Sequence, residues 1–103
     1  MSDLDKTACF TLLDKTNYSE WVVRMEAVLI HHGLWDSVVF DDAGLVGDDL
    51  QSVRETWTKK RSAKKMAEAR AEIILRVEDS QLAHMRDRDP TVIWEALARI
   101  HIA

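Results

Sequence analysis

An all-α fold, a compact single domain of four to five helices, is what this chain predicts, and three observations carry the prediction. Apolar residues recur at helical spacing through most of the sequence, while period-two alternation is nearly absent. Two helix-start signals stand where the periodicity resumes, Asn17-Tyr18-Ser19-Glu20 and Asp89-Pro90. The 103 residues suit one domain, 1–103, and four tryptophans supply its core. Residues 1–9 are expected to form a flexible N-terminal arm.

The first helix is expected over 18–32. Asn17 stands three residues before Glu20, a variant of the capping box that satisfies two free helix-end N–H groups. Tyr18, Trp21, Val22, Met25, Val28, Leu29 and His32 then fill one arc, and Gly33 follows where a left-handed C-terminal residue is wanted. A second stripe, Val23, Ala27 and Ile30, lies on the opposite side. An outer helix of a small domain needs one apolar face, so two faces mean either a central helix covered on both sides or a helix that meets a partner. On the partner reading, Val23, Ala27 and Ile30 are the candidate self-association surface.

Leu34 to Val39 reads as one or two apolar helical turns packing back on the core, and Asp41 to Asp49 as a loop. Asp48 or Asp49 is expected to cap a helix running to about Val77, with Val53, Trp57, Ala63, Ala67, Ala71, Ile74 and Leu75 on one side. Lys60 and Lys64 interrupt that stripe. Either their stems lie over apolar surface while the ammonium groups reach water, or the helix bends or breaks near residues 58–62. Gln81 to Arg86 is a short helix candidate. Asp89 as N-cap and Pro90 at the first helical position start the last helix, with Ile93, Trp94, Leu97, Ile100 and His101 on one face. Because the sequence stops inside this pattern, the ordered region is expected to run on in a longer parent protein.

Composition excludes several classes. A single cysteine, Cys9, makes no internal disulfide, which removes the disulfide-stapled secreted scaffolds. The longest apolar run, Ala27 to Ile30, is far short of the roughly 20 residues a membrane span needs. The acidic start Met1-Ser2-Asp3-Leu4-Asp5 lacks the order of a signal peptide, so an intracellular, reducing compartment is expected. The net charge of −4 is uneven: residues 1–50 hold 3 basic and 10 acidic side chains, residues 51–103 hold 11 and 8. Nucleic-acid-binding domains are more strongly basic than this. The asymmetry allows head-to-tail attraction between copies, and a solvated surface explains it equally.

No constellation for catalysis or cofactor binding emerges, so an enzyme is not expected, nor a small-molecule substrate. His31 and His32 are adjacent and point about 100° apart on a helix, the wrong geometry for one metal; His84 and His101 are isolated in sequence. His32 is expected to pack or cap at the end of its helix. Asp41-Asp42 and Asp48-Asp49 lack the spacing of a calcium loop, Ser37 and Ser80 lack a nucleophile turn, and three glycines make no phosphate loop. The one basic cluster, Lys59, Lys60, Arg61, Lys64 and Lys65, is a weak candidate for RNA contact. A solvated helix face with pairs such as Glu55–Lys59 and Glu72–Arg76 is the plainer account.

The residues themselves carry a resemblance. Phe10 to Trp21, with Asn17-Tyr18 and then Trp21, followed by Met25, Leu29 and Gly33-Leu34-Trp35, resembles the N-terminal signature of copia-type retrotransposon Gag proteins. Trp57, Ala67, Ile74 and Ile93-Trp94-Glu95-Ala96-Leu97 match the later helices of that family, so the likeness spans about residues 10–100. Lys15 stands where family members usually carry Gly, a residue tolerant of positive φ. The resemblance implies the N-terminal lobe of a capsid protein that self-associates, as a homodimer or higher oligomer, into the shell of a cytoplasmic virus-like particle. Element RNA would be gripped by downstream regions, including a Cys-Cys-His-Cys zinc knuckle, that this chain lacks. A host protein derived from such an element is equally compatible. The rival classes are a helical adaptor domain, monomeric when alone, and a helix-turn-helix DNA binder, for which Arg99 and His101 are the last helix's only basic residues.

Overall fold

A computed structural model describes residues 11–42 and 44–102. The expected N-terminal arm, Cys9 and Phe10 lie outside the described residues. Four α-helices follow one another: α1 (Tyr18–His31), α2 (Gly47–Lys60), α3 (Ala63–Ile74) and α4 (Pro90–Ile102). Short 3-10 segments, Trp35–Ser37 and Asp79–His84, link α1 to α2 and α3 to α4. The described residues hold no strand, only one isolated parallel bridge between Leu13 and Val77. The all-α expectation is met.

Three helices build the core. Trp21, Met25 and Leu29 of α1 face Ala69 and Ile73 of α3 and Ile93 and Leu97 of α4, with Leu13, Leu34, Val38, Val77 and Met85 closing the ends. Burying side chains of this size stabilises by about 1.5–3 kcal/mol each, the main force holding the module together. Trp94 joins the core aromatics, its ring centroid 6.1 Å from Trp21 and 5.5 Å from Trp35. Trp57 stands apart, so the four tryptophans do not form one core. Its indole N–H donates to the Asp36 carbonyl, and its ring meets Phe40 and the Arg61 guanidinium.

The segment before α1 is tied to the end of α3. Leu13 N–H donates to the Arg76 carbonyl, Glu78 N–H to the Leu13 carbonyl, and the Trp21 indole N–H also to the Arg76 carbonyl. The capping-box expectation fails here. The Asn17 side chain points back into the preceding turn, accepting from Asp14 N–H and donating to the Leu12 carbonyl, and makes no cap bond to α1. Asp14 completes that turn by accepting from the N–H and hydroxyl of Thr16. Lys15 therefore needs no left-handed backbone, and positive φ is confined to Gly33, Gly44 and Gly47 among the described residues.

Of the two readings of the helix to Val77, the break near residues 58–62 is the one that forms, and it gives two helices. Arg61 and Ser62 are extended, with ψ 139° and 126°, and the Ser62 hydroxyl caps α3 by accepting from Lys65 N–H. The break shifts the inward face of the second half. Ala69, Ile73 and Val77 are buried, whereas Ala63, Ala67, Ala71 and Leu75 of the expected stripe are exposed. No residue of α2 is buried, Val53 included, and Asp48 and Asp49 lie in its first turn rather than at its cap, which is Val46. Carboxylates there still favour the helix through its dipole. Asp89 behaves as expected, accepting from Thr91 N–H at the start of α4. Ile100 is exposed because the last turn of α4 runs past the core, where His101 alone turns inward.

Candidate functional site

The two faces of α1 differ in burial. Its inner face is sealed in the core, Met25 being 0% exposed, while Val23 is 64% and Ile30 55% exposed and Ala27 lies in the open between them. The central-helix alternative requires a cover over the outer stripe, and no element among the described residues supplies one. Spacing of four and then three residues puts the three side chains in one row along about two turns, with Arg24 and Glu26 exposed beside it. A row of aliphatic groups on a rigid helix can do no chemistry. It can bury itself against a similarly shaped apolar surface.

The basic cluster divides. Lys59 and Lys60 end α2, Lys64 and Lys65 open α3, and all four are exposed. Arg61 is removed from the candidate RNA contacts, because its side chain is 5% exposed and fully engaged. Its two terminal nitrogens donate to the two carboxylate oxygens of Asp89, each at 2.8 Å, and one of them also to the Thr91 hydroxyl and the Ser37 carbonyl. Thr91 in turn donates to the Val38 carbonyl. The Arg61 hydrogen bonds, ahead of every other influence, hold the Asp89 carboxyl below the usual carboxylate range. One arginine thus ties the helix break, the first 3-10 segment and the start of α4. Sequence reading missed this knot because its members lie far apart in the chain. The only local signal was that the break fell at a charged residue.

Of the two helix-face pairs expected, Glu72–Arg76 forms. Glu55 instead accepts from Gln51, and Lys59 has no ion pair among the described residues. Of the two roles expected of His32, it takes the cap and not the packed position. It is the C-cap residue of α1, its backbone N–H bonded to the Val28 carbonyl and its ring exposed, edge-on to His31. His101 stacks on Tyr18 at 5.1 Å and shares a proton contact with the buried Gln81 at 2.9 Å. Gln81 directs its amide nitrogen to Ser80, so its oxygen faces His101 and requires a proton on that Nε2. Burial first, then the nearby His84, lowers the His101 pKa, with the Asp14 carboxylate opposing them. Burial raises the Tyr18 hydroxyl in the same corner. Among the described residues no three His, Cys, Asp or Glu side chains converge as a metal site, and no helix is long and apolar enough to cross a membrane.

Among the described residues, the fold and its surface form a small helical module with an uncovered apolar row on α1 and exposed lysines at the α2–α3 break. A family model described as "Domain of unknown function (DUF4219)" matches residues 13–38. That span begins at the Leu13 bridge, contains all of α1 and ends at Val38, where Thr91 bonds. No curated protein and no solved structure matches the chain.

Proposed function

We propose that this module is the N-terminal lobe of a copia-type Gag capsid region, and that it self-associates through α1 into the shell of a particle enclosing element RNA. The observation that carries the reading is the exposed row Val23, Ala27 and Ile30 on a helix whose other face is locked in the core. Two further points support it. The match at residues 13–38 falls on the segment that bears the Asn17-Tyr18, Trp21 and Gly33-Leu34-Trp35 resemblance, and such domains commonly stand N-terminal in copia-type Gag-like proteins.

The occupant of the row is a second copy of this chain. Two α1 helices related by a two-fold axis present the same row to each other, so one patch serves both sides of an isologous contact. Three aliphatic residues a side give a weak contact. Weak contacts suffice in a lattice, where each subunit is held by several neighbours at high effective concentration. RNA capture is assigned to regions downstream of this lobe, and no membrane or cofactor enters. Sedimentation velocity across micromolar to millimolar concentration tests the reading. A rising weight-average mass supports it, and a strict monomer at millimolar concentration contradicts it.

A further inference from the structure

The break between α2 and α3 creates a cleft of about 300 Å³ whose walls include Lys60, Arg61, Ser62 and Lys65 with Trp57 and Asp36. We propose that this cleft is a phosphate-binding site, taking the dianionic phosphate of a small polyphosphate or the backbone phosphate of a single-stranded RNA. Three features of the cleft point to such a ligand. First, the extended backbone at Arg61 and Ser62 brings Lys60 and Lys65, from different helices, to one concavity. Neither lysine has an ion pair among the described residues, although carboxylates outnumber basic groups over the whole chain. Two unneutralised ammonium groups on one cleft repel each other, and an anion between them removes the repulsion.

Second, part of the lining is rigid. Arg61 is fixed by its two-pronged bond to Asp89 and stacks on Trp57 at 4.6 Å, so the cleft is formed before a ligand arrives. Third, the donors are of the type that phosphate oxygens take: two lysine ammonium groups and the hydroxyl of Ser62, all from residues that line the cleft. Asp36, a carboxylate on the wall, leaves the lining net positive. Trp57 has its ring taken by Arg61 and Phe40, so the cleft reads phosphate and not a stacked base. The site is independent of the α1 row and of the self-association reading.

The test is a titration of the dilute, monomeric chain followed by ¹⁵N–¹H correlation spectra at fixed ionic strength. Inorganic pyrophosphate forms one arm and an eight-nucleotide oligouridylate the other. The expected result is saturable shifts at Ser62, Lys65 and the Trp57 indole N–H in the pyrophosphate arm. Shifts of the same signals with oligouridylate assign RNA backbone as a source, and their absence assigns small phosphates alone. Lys60→Gln with Lys65→Gln should weaken binding by at least about tenfold, as loss of charge-assisted bonds implies. Lys59→Gln with Lys64→Gln removes the same charge outside the cleft and should weaken it less than about threefold. All four lysines are exposed, so both variants keep the native spectrum elsewhere. Equal weakening by the two pairs, or no saturable shift at the cleft in either arm, overturns the proposal.

Discussion

Helices α1 and α2 are each 14 residues long and amphipathic, yet they occupy opposite places in the energetics of the molecule. α1 buries Trp21, Met25 and Leu29 and keeps a second apolar row in the open. α2 has no fully buried residue and is held at its edges, by the Trp57 contacts and by an exposed Arg54–Glu95 pair that contributes about 0–1 kcal/mol. The difference teaches that a helical stripe states which side is apolar, not how much of it is covered. α1 offers large side chains at i, i+4 and i+8 that fill a core. Of the α2 apolar positions only Leu50 and Trp57 are partly buried.

The largest expected effect comes from breaking α1 on its inner face. Met25→Asp places an unpaired carboxylate in the core, at a cost of several kcal/mol against a total stability of about 5–15 kcal/mol. Its circular dichroism should show loss of helix and of the cooperative melt. Next comes Arg61→Ala, which strands Asp89 and leaves Thr91 and the Ser37 carbonyl short of a donor. Urea unfolding should report a loss of about 2–4 kcal/mol, somewhat less than a fully buried pair because Asp89 is partly exposed. Trp57→Ala should cost about 1–2 kcal/mol. Amide exchange sharpens the comparison here: α2 amides should exchange faster while those of α1, α3 and α4 keep their protection.

Legibility in the sequence followed burial in the same way. α1 was readable because its large apolar residues repeat in one arc, and α4 because Asp89-Pro90 states its own start. The α2–α3 region was misread in register. Alanines at 63, 67 and 71 share a face in sequence, but alanine is small enough to be indifferent to exposure, and the break at Arg61-Ser62 sets which face turns inward. Asn17 was misread because its side chain had two backbone targets, and only the tertiary path of residues 12–14 decides between them. Within the candidate site, the row on α1 was visible as a pattern while its exposure was not. What buries Arg61, unlike its lysine neighbours, is mainly a set of partners 24 to 30 residues away.

A smaller effect is expected from pH. The folded pKa of His101 lies below its ordinary 6.5, so the folded state resists its protonation. That contribution to stability is complete above the unfolded value and is lost as pH falls through the folded one. The thermal midpoint should therefore sag modestly between pH 7.5 and 5.5, and less so in His101→Gln. Asp89, also lowered, adds a second loss only in acid below the usual carboxylate range, as protonation dismantles its bond to Arg61.

The smallest effect on stability, within about 0.5 kcal/mol, is expected from Ile30→Asp on the outer face. This substitution tests most directly the claim that the two faces of α1 divide folding from association. Sedimentation equilibrium at high concentration, run beside a thermal melt, supplies the measurement. The variant should melt cooperatively near the wild-type midpoint and sediment as a monomer at concentrations where the parent chain associates. An Ile30→Asp chain that unfolds, or one that stays folded and associates as tightly as its parent, contradicts the account.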